Sequence, residues 1–165
     1  RKKAFDNPAV KLHKDYPESD YAWYKLEMPE PDLDSPLPEG YSIKPGPHGV
    51  FEMQAPDGVS RVRLGAFHDV SLKEQPKHAR AAALENLHGT RKKALEDALK
   101  YEGDCMGHCV RGYTDRVKEG NSAIYSLRNK KTGAPHVTIE TKPPELRGGM
   151  SAEKYLSSQI GRAHV

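Results

Sequence analysis

The 165 residues suit one domain, or one domain with an ordered extension. With 36% hydrophobic and 30% charged residues the chain can build a modest core, and no apolar run is long enough to span a bilayer. The net charge of +3 comes from Lys and Arg mixed with Asp and Glu along the chain, which permits nucleic-acid binding without indicating it.

The chain begins at Arg1 rather than Met, and no charged stretch leads into an apolar one. Both features are expected of a piece of a longer protein that carries no secretory signal. Cys105 and Cys109 stand four positions apart on a predicted helix, a poor placement for a disulfide. Reduced thiols in the cytoplasm are the expectation.

In chain order, residues 1–20 mix charge, proline and scattered apolar side chains without a period, and read as an arm. Tyr21 to Met28 alternates as a strand. Tyr21, Trp23 and Lys25 take one face, and Ala22, Tyr24, Leu26 and Met28 the other. Prolines at 29, 31, 36 and 38 make the next stretch an extended linker, so residues 1–40 are expected as arm and linker and 41–165 as one domain. Val50 to Gln54 and Val59 to Leu64 flank Ala55-Pro56-Asp57-Gly58, a turn in which proline presets φ and glycine accepts a positive φ.

Residues 69–78 read as a polar connection, and Ala79 to His88 as a helix closed by Gly89. Thr90 can cap a second helix whose stripe is Ala94, Leu95, Ala98, Leu99 and Tyr101, ending at Gly103. Asp104 then caps a third, with Met106, Cys109, Val110, Tyr113 and Val117 toward the core and His108, Arg111 and Asp115 on the flank. Two strands follow, Ala123–Arg128 and His136–Thr141. In the second, Val137 and Ile139 point one way and His136, Thr138 and Glu140 the other. Ser151 caps a short final helix. The expected fold is α+β: a small antiparallel sheet with helices packed on one face, preceded by an extended N-terminal arm.

The stretch HCVRGYTDRVKEGNSAIYSLRNKKTGAPHVTIE resembles the PcfJ-like domain of conjugative plasmids, phages and other mobile elements. The resemblance rests on His108, Cys109, Val110, Gly112, Tyr113, Gly120, Ile124, Leu127, Arg128, Pro135, Thr138 and Glu140, and covers about residues 100–162. Arg111 stands where that family usually has glycine. Upstream, YAWYKLE and LPEGY are similar to stretches of large phage polyvalent proteins. The resemblance implies a module of a phage or mobile-element protein in the host cytoplasm, or delivered there with phage or plasmid DNA. Other domains of the parent protein are its implied partners.

Candidate catalytic residues are His108, Cys109, Arg128, His136, Thr138 and Glu140. A carboxylate, two imidazoles and an arginine could supply base, acid and anion clamp for phosphodiester or nucleotide chemistry. The plain alternative is a solvated polar face in which Arg128 pairs with Glu140 across the hairpin. Cys109 as a nucleophile conflicts with its place on the apolar stripe, where cysteine behaves as a small hydrophobe. Cys105, His108, Cys109 and His136 lack zinc-site spacing, although a divalent metal at Glu140 stays open. Arg91, Lys92, Lys130 and Lys131, with Tyr113 or Tyr125 for stacking, could contact nucleic acid, as could Arg1, Lys2, Lys3 and Lys93. No P-loop, GxGxxG or GxSxG occurs. A nucleic-acid enzyme or binder and a non-catalytic scaffold module both remain open at this point.

Overall fold

The computed structural model describes residues 2–107 and 113–142. In chain order the elements are α1 (Lys2–Phe5), β1 (Val10–Asp15), β2 (Tyr21–Leu26), β3 (Ser42–Pro45), β4 (Val50–Gln54), β5 (Arg61–Ala66), α2 (Gln75–His88), α3 (Thr90–Met106), α4 (Thr114–Lys118), β6 (Ala123–Asn129) and β7 (Pro135–Thr141). Every strand pairing is antiparallel, so the fold class is α+β. No helix among the described residues is long and apolar enough to cross a membrane.

The chain divides into two compact units: Arg1–Pro29 with Arg91–Val165, and Glu30–Thr90. The division falls beside Pro29 and Thr90, not at residue 40. The first unit holds a four-stranded sheet ordered β1-β2-β6-β7. Much of the expected arm is therefore sheet, and only residues 1–9 precede the first strand. The cause lies in β1 itself. It is an edge strand with a register shift between Leu12 and Lys14, which breaks the period-two pattern. Its exposed Leu12 and charged Lys11, Lys14 and Asp15 are the composition of an edge rather than of a buried strand.

The register sorts the side chains of this sheet. Ala22, Tyr24 and Leu26 stand opposite Arg128, Ser126 and Ile124, and Ser126 and Ile124 stand opposite Thr138 and Glu140. The apolar stripe of α3 packs on this face, where Leu95, Ala98 and Leu99 form a core with Ala9, Leu26, Val117 and Ile124. Each such leucine or isoleucine contributes about 1.5–3 kcal/mol on burial. Trp23, Tyr125, Leu127 and Ile139 cluster on the opposite face.

The helix α3 runs on through Gly103, where the sequence suggested a stop, and ends before Gly107, which takes the left-handed φ of +73°. A mid-helix glycine costs about 1 kcal/mol relative to alanine. The extra turn carries the Lys100–Asp104 pair at 2.9 Å. Of the expected third helix, residues 108–112 lie outside the described residues, and α4 forms the end of it. The final helix after Ser151 lies outside them too.

The second unit is the sheet β3-β4-β5, with α2 packed against β3 and β5. Its β4–β5 turn forms as the Pro-Asp-Gly pattern dictates. Gly58 has φ +73°, and Asp57 Oδ1 accepts from Val59 N and Ser60 N, each at 2.8 Å. These bonds hold the Asp57 carboxyl below the ordinary range, the Ser60 hydroxyl contributing most. Helix α2 starts at Gln75, earlier than expected, because Pro76 sits in its first turn, where a missing N–H costs nothing. Gly89 closes it with φ 63°.

Candidate functional site: a buried polar cluster beneath helix α3

Helix periodicity builds the site from one side. Glu102 follows Leu95, Ala98 and Leu99 at i+7, i+4 and i+3, so it lies on the buried stripe and is fully enclosed. The sheet supplies the other side: Ser126 and Arg128 alternate with Leu127 on β6, face α3, and are also fully buried. Ser126 Oγ donates to Glu102 Oε2 at 2.9 Å, and Arg128 Nε donates to Ser126 Oγ at 3.1 Å. Arg128 Nη2 stands 3.6 Å from Glu102 Oε2. Arg128 Nη1 donates to the Ala4 carbonyl at 2.8 Å, and its Cζ lies 5.3 Å from the centre of the Tyr101 ring.

Burial raises the Glu102 pKa. The Arg128 charge opposes this most strongly, followed by the Ser126 hydroxyl and the Thr138 side chain. Tyr101 is raised as well, by burial first and then by its hydrogen bond with Cys105 one turn on. A pocket of about 560 Å³, whose lining includes Ala4, Asn7, Ala98, Tyr101 and Arg128, adjoins the cluster. Asn7 fixes its rim, donating from Nδ2 to Ala94 O at 2.9 Å while Oδ1 accepts from Ala9 N at 2.8 Å.

Of the predicted site residues among the described residues, Arg128 and Thr138 come together around Glu102, whereas His136 and Glu140 do not join them. His108 and Cys109 lie outside the described residues. Arg128 pairs with Glu102, not Glu140. Glu140 accepts from Ser122 Oγ at 3.0 Å and lies 3.7 Å from Arg116 Nη1. Thr138 is on the helix-covered face with its hydroxyl buried, so that face is not open to water. His136 leaves the shared face expected for it. The pairing jumps from Leu127↔Val137 to Arg128↔Pro135, and this bulge turns the exposed imidazole against Tyr21, with ring centres 5.4 Å apart. His136 and Glu140 are also four strand residues apart, roughly 13 Å, too far to act on one atom.

The proposed basic surface is largely engaged within the chain. Arg91 Nε donates to Pro29 O at 2.7 Å, and Lys92 lies 4.0 Å from Asp115. Lys130 bridges Asp15 and the Tyr16 carbonyl, each at 3.0 Å, while Lys131 is exposed in the β6–β7 turn. Tyr113 packs on the α3 core with Arg116 over its ring, and Tyr125 is 5% exposed and closed to a stacking base. Among the described residues no group of three or more His, Cys, Asp or Glu is placed to hold a metal. Cys105 is exposed at the end of α3.

Glu102, Ser126 and the Ala4 carbonyl are the members the sequence reading missed. The signal for Glu102 was present, as an acidic residue on an apolar stripe. Comparisons of the chain with protein-family models, curated proteins and solved structures found no match.

Proposed function

We propose that this chain is a non-catalytic interaction or scaffold module of a larger phage or mobile-element protein, working in the bacterial cytoplasm alongside the other domains of its parent. The enclosure of Arg128 carries the reading. A guanidinium that clamps a phosphate must meet it, and this one is fully buried, spent on Glu102, Ser126 and the Ala4 carbonyl. The mobile-element setting rests on the resemblance of residues 100–162 to the PcfJ-like domain. The separation of His136 from Glu140 and the internal partners of Arg91 and Lys130 support the scaffold reading over phosphodiester chemistry or nucleic-acid binding.

The test is incubation of the purified chain with labelled single- and double-stranded DNA and RNA, with and without Mg²⁺, Mn²⁺ and Zn²⁺, on denaturing and native gels. The expected result is intact, unshifted substrate in every lane. Cleavage that disappears in His136→Ala or Glu140→Ala would make the chain an enzyme. A shift that weakens in Lys131→Glu would make it a nucleic-acid binder.

A further inference from the structure

Three enclosed polar atoms of the α3 cluster make no hydrogen bond of full geometry with the described residues, although the Arg128 and Thr138 side chains both act on the Glu102 carboxyl: Glu102 Oε1, Arg128 Nη2 and Thr138 Oγ1. They belong to one place. Glu102 and Arg128 face each other at 3.6 Å and share Ser126, and Thr138 stands directly across the ladder from Ser126 and close enough to Glu102 to steady its carboxylate. Leaving a buried polar group unmatched is costly, the more so for a charged one, so three at one point call for a shared partner.

We infer that this cluster is the binding site of an internal water molecule, held by Arg128 Nη2, Glu102 Oε1 and Thr138 Oγ1. The chemistry of the three atoms selects the occupant. It must accept a hydrogen bond from a guanidinium and donate one to a carboxylate, and a hydroxyl serves either role. A metal cation has nothing to donate and is repelled by Arg128. A halide or phosphate is repelled by Glu102. Water both accepts and donates, and internal waters typically hold about three such bonds. The pocket of about 560 Å³ lined by Ala98, Tyr101 and Arg128 lies next to the cluster on the Arg128 side. With water in place the ion pair is bridged as well as direct, and Thr138 is tied to Arg128 as well as to Glu102.

The experiment is NMR detection of a long-lived water through cross-relaxation with the hydroxyl protons of Ser126 and Thr138 and the guanidinium of Arg128, beside a crystal structure that resolves ordered solvent. The expected result is a cross-peak in the intact chain and a density peak within hydrogen-bonding distance of Arg128 Nη2 and Glu102 Oε1. The cross-peak should weaken in Thr138→Val and vanish when Glu102→Leu and Arg128→Leu are combined, which leaves an apolar space. A cross-peak that survives in the combined variant places the water elsewhere and overturns the assignment. So does a crystal structure in which Glu102 Oε1 and Arg128 Nη2 bond to each other directly with no solvent peak between them.

Discussion

Glu102 on α3 and Arg128 on β6 face each other at 3.6 Å, both fully closed off from solvent. Their separation is longer than a tight ion pair, and Ser126 hydrogen-bonds to both. Taking two charges out of water is expensive, and such a pair typically does no better than apolar residues of the same volume. Removing one partner is different, because it strands the other charge. Arg128→Leu alone should therefore destabilise the chain by about 3–5 kcal/mol in urea denaturation. Arg128→Leu combined with Glu102→Leu should recover more than half of that loss. Two single losses that simply add would mean that the residues do not act as a pair.

The pH dependence of Glu102 has a definite sign. Its pKa in the folded chain lies above the ordinary glutamate value of 4.5, because burial outweighs the help from Arg128. The folded state thus binds the proton more tightly than the unfolded state does. The contribution of Glu102 to stability is then fully present below pH 4.5 and is lost as pH rises through the raised folded value. Stability of the wild type relative to Glu102→Gln should fall across that window, by at most about 1.4 kcal/mol per pH unit. A flat difference from acid to neutral pH would place the Glu102 pKa at its ordinary value.

Gly133 and Gly89 share a left-handed backbone, with φ +77° and +63°, but differ in what surrounds them. A Cβ at Gly89 meets nothing within 4 Å, whereas one at Gly133 would collide with Ala4 Cβ and sit 3.1 Å from the Phe5 ring. Gly89→Ala should cost about 1 kcal/mol of stability from backbone strain alone. Gly133→Ala should cost roughly 2–4 kcal/mol, since crowding adds to the same strain. It should also disturb Tyr24, whose ring lies 5.0 Å from Phe5. Equal melting temperatures for the two variants would refute the packing of the N-terminal segment against Gly133.

Single substitutions at the outer predicted site residues should be mild. His136 is exposed at the bulge, and His136→Ala should shift stability by no more than about 0.5 kcal/mol. Glu140→Gln keeps an acceptor for Ser122 and weakens only the 3.7 Å pairing with Arg116, so it should cost under about 1 kcal/mol. Thermal melts of both variants against Arg128→Leu check the ordering. A large loss in Glu140→Gln would assign Glu140 to the structural framework.

The local pieces are legible in the sequence, because each rests on contacts between near neighbours. The Pro-Asp-Gly turn, Gly89 as a helix stop, the two faces of Tyr21–Leu26 and the apolar stripe of α3 all follow from backbone sterics and side-chain period. Strand β1 was not legible because an edge strand with a bulge loses the alternation that marks buried strands. Gly103 within α3 was not legible because packing overrides helix propensity. The candidate site divides the same way. Arg128, Thr138 and Glu140 stand out in the sequence as chemistry-bearing, and the shared face of Thr138 and Glu140 follows from alternation, while the bulge beside Arg128 takes His136 off that face. Which side of the sheet the helix would cover depends on pairings between residues about 100 positions apart, such as Ala22 with Arg128. Only that tertiary choice placed Glu102 over Arg128 and made the predicted clamp an interior residue.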